Sequence, residues 1–229
     1  MKIFNLGLEI DPGKHKYKLE WAEELIKKFE PQKVSLYSVE FVDSGPEVVD
    51  AIVYEQSKKL DLVVIDLEKI EKRLFKVEDE SEKVVLIKAQ NFLEEEKLLC
   101  DGDFTSSEIE TFKLLQLVTS KPCLGVNEAG DINQLIEKLI SKAGILLFFT
   151  AGKKEVHVWN VDKGESILEA AGKIHSDLKR GFIKAEITNC KDLGSFFNMA
   201  EARSRGLVKI VDRDYIVEEG DIVDIRFNV

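Results

Sequence analysis

Ile174-His-Ser-Asp-Leu-Lys-Arg-Gly-Phe-Ile-Lys-Ala-Glu-Ile187 joins the end of a helical pattern to the start of a strand. Apolar residues from Ser166 to Leu178 keep helical spacing, and from Phe182 to Ile187 they alternate as on a half-buried strand. Lys179, Arg180 and Gly181 fill the join. A second block, Asp214-Tyr-Ile-Val-Glu-Glu-Gly-Asp-Ile-Val-Asp-Ile-Arg-Phe-Asn-Val229, alternates again, with Gly220 placed for a turn. Upstream, Ile145–Thr150 and Glu155–Val161 read as strands of a hairpin around Ala151-Gly-Lys-Lys154. Gly194–Ser204 reads as a helix and Leu207–Val229 as two or three short strands. Strands over one main helix predict a β-grasp, ubiquitin-like unit for residues 145–229.

The preceding residues, 1–144, have a different texture. Met1–Leu8 is a short apolar strand, followed by the loop Glu9–His15 and an amphipathic helix over Lys18–Phe29 that Pro31 stops. Val34–Val42 is a strand pattern, Pro46–Lys59 a helical one and Leu60–Ile65 an apolar run of strand length. This order predicts an open, parallel α/β sheet. Charged helices over Glu68–Phe75 and Lys83–Leu98 flank the acidic tip Glu78–Glu82, a helical hairpin inserted at about 67–99. Thr105-Ser-Ser-Glu108 carries the Thr and Glu of a capping box. Pro122–Val126 is a further strand, and Ile132–Lys142 a helix ended by Gly144.

The 229 residues are 44% hydrophobic and 33% charged, the composition of a soluble globular chain. Of the net charge of -10, residues 1–145 carry -9 and residues 146–229 only -1. The acidic front repels a phosphate backbone at long range, so electrostatics favours the C-terminal half as any nucleic-acid surface. Cys100, Cys123 and Cys190 are scattered, and no histidine pairs with them at zinc-ligand spacing, so no metal site is expected. Isolated thiols, no signal-like segment and no long apolar run predict a cytoplasmic protein with no membrane partner.

The blocks at 174–187 and 214–229 together resemble the TGS domain that closes the Obg-like ATPase (YchF) family. Three front-half motifs are similar to the family's nucleotide elements, each altered. Gly7-Leu-Glu-Ile-Asp-Pro-Gly13-Lys14-His15 resembles a P-loop, but five residues rather than four separate its glycines, and His15 stands where a Mg²⁺-ligating hydroxyl belongs. Glu9 and Asp11 put carboxylates where phosphate would sit. Val39-Glu-Phe-Val-Asp43-Ser-Gly45 resembles the D-x-x-G element with one residue missing. Thr119–Asn127 resembles the lead-in to the Asn-x-x-Glu base-reading motif, but Gly130 holds the acid's place. Asp66–Leu74 resembles the opening of the family's helical arm, and Glu94–Lys97 with Asp103–Glu108 resemble its return. The resemblance covers nearly the whole chain and is thinnest before Leu62.

The resemblance implies a reduced P-loop-like sheet with a short helical hairpin, followed by a TGS β-grasp domain. With three motifs altered, the expected function is non-catalytic binding of RNA, the ribosome or a protein partner, with no cofactor and no DNA. Lys173, His175, Lys179, Arg180 and Lys184 form the densest basic cluster, with Arg203, Arg205 and Lys209 as another. Phe182, Phe196 and Phe197 are either core residues or faces for base stacking. The alternative is a residual ATP- or GTP-binding NTPase with Mg²⁺, using Gly7, Gly13, Lys14, Asp43 and Asn127.

Overall fold

A computed structural model describes residues 1–228. Val229, the last residue of the second block, lies outside them. The elements begin β1 (Lys2–Leu6), β2 (Gly13–Lys16), α1 (Glu20–Phe29), β3 (Lys33–Ser35), β4 (Ser38–Val42) and β5 (Ala51–Glu55). Next come α2 (Lys59–Leu74), α3 (Glu80–Glu94), α4 (Ser106–Leu114), β6 (Cys123–Val126) and α5 (Ile132–Lys142). The remainder is β7 (Ile145–Ala151), β8 (Glu155–Asp162), α6 (Ile167–Ile174), α7 (Ser176–Arg180), β9 (Phe182–Asn189), α8 (Met199–Ser204), β10 (Lys209–Val211) and β11 (Asp221–Phe227).

The chain forms two compact units, Met1–His15 with Val39–Ala143, and Lys16–Ser38 with Gly144–Val229. Sequence patterning put the boundary at 144/145 and kept Lys16–Ser38 with the front half. The contacts instead group this segment with the C-terminal residues.

In the first unit the strand order is β2-β4-β1-β5-β6, and β4, β1, β5 and β6 pair in parallel. Ala51, Ile52, Val53 and Tyr54 of β5 are all buried, as expected of a strand covered on both faces. The helix expected over Pro46–Lys59 is therefore a strand preceded by a 3₁₀ turn at Pro46–Val48. The strand expected over Leu60–Ile65 is the start of α2. Five apolar residues in a run of six fit either element, and here they belong to a sixteen-residue helix burying Leu62, Val63, Asp66 and Ile70. Asp66 is fully buried and accepts from Val118 N (2.8 Å), Thr119 N (2.7 Å) and Thr119 Oγ1 (2.6 Å). Helices α2 and α3 form the expected hairpin, and Thr105 and Glu108 close a reciprocal capping box on α4.

The second unit is a mixed sheet in the order β10-β9-β11-β7-β8-β3. Strand β3 pairs in parallel with β8, Lys33 opposite Glu155, and so occupies the sheet edge. The pattern read as one strand over Val34–Val42 is thus two short strands in different sheets. Helix α1 packs on β8, and its Trp21 ring lies 2.8 Å from where a Cβ on Gly220 would stand. With φ at +83°, Gly220 is required both by the turn and by Trp21. Helix α6 buries Ile167, Ala170 and Ala171 against Phe148, Val161, Phe182, Ala185 and Ile187. The single helix expected to Leu178 breaks at His175, whose extended backbone separates α6 from α7. The helix expected over Gly194–Ser204 is a 3₁₀ segment, Cys190–Ser195, and then the short α8.

Candidate functional site

Parallel strands deliver their following loops to one edge of the sheet, and a ligand crevice opens where the connections diverge. Here β1 and β5 are neighbours, yet the chain runs from β1 to β4 on one side and from β5 to β6 on the other. Two open depressions lie at these strand ends. One, of about 580 Å³, is lined by Asn5, Gly7, Glu9, Asp11 and Asp43. The other, of about 460 Å³, shares Gly7 and Glu9 and adds Glu55, Asn127 and Glu128. The fold therefore gathers Gly7, Asp43 and Asn127, while Gly13 and Lys14 line neither depression.

Local structure explains the division. After β1 the chain makes a tight turn, with Asn5 Nδ2 donating to Leu8 O (2.9 Å) and Ile10 N to Leu8 O (2.9 Å). Leu8 and Ile10 are buried, so the loop tucks its side chains inward. Gly13 and Lys14 then enter β2 on the sheet edge, where a phosphate-binding loop would open a helix. Helix α1, expected to follow the loop in the same sheet, belongs to the second unit. His15 Nε2 lies 2.8 Å from Asp11 O, and the ring stands edge-on to Phe41. The side chains of Glu55 and Lys58 lie within 3.4 Å of where a Cβ on Gly7 would stand. Five carboxylates (Glu9, Asp11, Asp43, Glu55, Glu128) line the depressions. Their negative charge opposes a bare triphosphate at this end of the sheet. Among the described residues no cluster of His, Cys, Asp and Glu is arranged to hold a metal ion.

In the second unit most residues of the basic clusters already have an acidic partner. Lys179 Nζ holds both carboxylate oxygens of Glu169 (2.8 and 2.7 Å), and Arg180 pairs with Asp177 (2.9 Å). Lys184 reaches Asp212 (3.2 Å) and Arg205 reaches Glu201 (2.6 Å). His175 Nδ1 accepts from Asp177 N (3.1 Å), capping α7. Lys173 is exposed, with no ion pair among the described residues. Phe182 and Phe196 are core residues, whereas Phe197 is 82% exposed.

Arg203 Nε donates to Glu186 Oε2 (2.6 Å), and Arg226 pairs with the other oxygen of the same carboxylate. Glu186, on β9, is only 2% exposed. Burial pushes its carboxyl up, but the hydrogen bonds and charges of the two arginines prevail and hold it below the usual carboxylate range. Arg226 and Glu186 escaped the sequence reading, because pairing between β9 and β11 brings them together.

Residues 145–228 match the YchF-GTPase_C family, which is described as a protein of unknown function. The chain is 29% identical to the ribosome-binding ATPase YchF of Bacillus subtilis, over 79% of this chain and 68% of that protein. The protein of the same name in Mycoplasma genitalium is 31% identical over 63% of this chain and 40% of its own length. For Escherichia coli O157:H7 the values are 36%, 46% and 29%. The chain therefore spans well under half of the latter two. In fold it is similar to the YchF GTPase of Schizosaccharomyces pombe, with a TM-score of 0.79 at 17% identity, over 98% of this chain and 97% of that one. In sequence the chain is similar to proteins named YchF, and in fold to a YchF GTPase.

Proposed function

We propose that this chain is a ribosome- or RNA-associated protein that engages its partner through a TGS-like β-grasp unit at residues 145–229. In this reading the front sheet carries a degenerate nucleotide loop and turns over neither ATP nor GTP. The observation that carries it is the position of Gly13 and Lys14 on the edge strand β2, where a phosphate-binding loop would instead open a helix. The family match to residues 145–228 and the relatives' names, which speak of ribosome binding, support the partner class. Contact falls to Lys173, His175, Lys179, Arg180, Lys184, Arg203 and Arg205, with exposed Phe197, whose N–H shares the Glu201 carboxylate with Arg205. Because most of these cations are ion-paired, binding exchanges carboxylates for phosphates and is steeply salt-dependent.

The test is co-sedimentation of the full chain with purified ribosomes, and band shift with structured RNA, across a salt series. Binding at low salt that is lost in the variant with Lys173→Glu, Lys179→Glu and Arg180→Glu is expected. Indifference of the wild-type chain to both, or unchanged binding by the variant, overturns the reading.

A second reading, residual nucleotide binding with Mg²⁺ at Gly7, Lys14, Asp43 and Asn127, draws on the relatives' being named ATPases. Those names run against a cofactor-free protein. Saturation at 100 times the dissociation constant would stabilise the fold by about 2.7 kcal/mol. Melting temperatures that do not move in millimolar ATP or GTP with Mg²⁺ dismiss it.

A further inference from the structure

The two depressions at the strand ends of the first unit have acidic walls and no cation in them. No lysine or arginine lines either one. Lys58, whose stem passes Gly7, pairs instead with Asp61 at 3.8 Å. Glu9, Asp11, Asp43 and Glu128 are exposed, and their carboxylates have no ion pair among the described residues. Glu55 accepts only from the Ser57 hydroxyl, at 2.8 Å.

Asn5 adds an unmet acceptor. It is 7% exposed and lines the first depression. Its Nδ2 donates to Leu8 O at 2.9 Å, which fixes the amide, and its Oδ1 is left with no hydrogen-bond partner. A buried acceptor in that position calls for a donor from outside the chain. The two depressions share Gly7, Leu8 and Glu9, so they adjoin at the turn after β1. Their carboxylates are spread along this double hollow and are not gathered as a group able to hold one metal ion. A cleft walled by one sign of charge concentrates counter-ions, and here an elongated cation reaches more of the wall than a compact one.

We propose that the two depressions form one site for a linear aliphatic polyamine. Its ammonium groups donate to Glu9, Asp43 and Glu128, and a terminal one supplies the donor that Asn5 Oδ1 lacks. The methylene stems between them lie over Gly7, which presents no side chain, and against Ala129. The lining selects the class: positive charge and N–H donors at intervals, joined by apolar stems. A lysine-rich peptide has the charge, but its backbone carbonyls would face the same carboxylates. The site needs neither RNA binding nor nucleotide turnover, so its outcome is separate from that of the proposed function.

The test titrates spermidine by calorimetry into the full chain, freed of nucleic acid, at near-physiological salt. Saturable binding is expected, and its absence overturns the proposal. Glu9→Gln, Asp43→Asn and Glu128→Gln together should weaken it about tenfold, since each exposed charge pair contributes little. A control carrying Glu94→Gln, Glu95→Gln and Glu96→Gln removes the same charge outside the depressions and should bind as wild type does. Equal loss in both variants marks general charge attraction and overturns the site. Mg²⁺ and trilysine should each bind more weakly than spermidine. Tighter binding of either, with the same dependence on the three substitutions, reassigns the hollow to an inorganic cation or a basic peptide and overturns the polyamine. In nuclear magnetic resonance spectra the Asn5 side-chain amide of the wild-type chain should shift as spermidine saturates. An unmoved Asn5 puts the polycation elsewhere and overturns the proposal, even if the triple variant fails to fold.

Discussion

Two buried carboxylates, Asp66 in the first unit and Glu186 in the second, are treated in opposite ways. Asp66, in the first unit, is surrounded by two backbone N–H groups and the Thr119 hydroxyl. Burial raises its pKa more than these neutral donors lower it. Glu186, in the second unit, is gripped by two arginines and titrates below the usual range despite burial. Neutral dipoles only partly replace the water a carboxylate gives up, whereas full charges at contact distance more than replace it. Asp66 ties α2 to the turn before β6, while the Glu186 cluster lies where α8, β9 and β11 meet. One device is interior and rigid; the other remains open to exchange with an incoming charge.

The comparison can be strained first by Asp66→Ala. It leaves Val118 N, Thr119 N and the Thr119 hydroxyl without their buried acceptor, and should cost about 3 kcal/mol in urea unfolding at neutral pH. A cost near zero would mean that water reaches the site and that the two carboxylates are not so different. In the second unit, Gly220→Ala forces a side chain into a left-handed backbone and against Trp21, for about 2 kcal/mol. A tolerated substitution would mean that α1 sits on the sheet only loosely.

The smallest effect is the most discriminating. Glu186→Gln should cost about 1 kcal/mol, because both arginines are roughly half exposed. Glu186 has a depressed folded pKa, so its stabilisation is present above the ordinary value of 4.5 and is lost as pH falls through the folded value. Asp66 has a raised one, so the advantage of wild type over Asp66→Ala shrinks as pH rises from 3.8 through the folded value. Unfolding the three proteins between pH 3 and 7 should therefore give differences of opposite slope. Parallel slopes would erase the contrast.

Much of the second sheet was legible in the sequence because β7 is a short apolar run joined by a tight turn to the alternating β8, and β9 follows a plain helical pattern. Helix α5 and the capping box of α4 were equally plain, being set by neighbours in the chain. Between Pro46 and Ile65 the elements came out exchanged, because Val48, Val49, Ile52 and Val53 satisfy a helix face as well as a buried strand. Only pairing of β5 with β1 and β6 decides between them. The placement of Lys16–Ser38 was not legible, since it depends on Trp21 meeting Gly220 and on Lys33 facing Glu155, contacts made across most of the sequence. The candidate sites divide the same way. The altered spacing after Gly7 signalled a departure from a phosphate loop, but not that Lys14 would join a strand. The basic residues were visible, and the acids that pair with them were not.

Strand β3 has a practical consequence for anyone dissecting this chain. A fragment cut at the sequence-suggested boundary, beginning at Ile145, would lack both β3 and α1. The hydrogen-bonding edge of β8 would then be bare along Glu155–His157, and the Gly220 turn would lose Trp21. A naked edge of that kind invites pairing between molecules. The C-terminal unit is continuous as a family match but discontinuous as a folding unit, and it borrows its protective border from residues more than a hundred positions upstream.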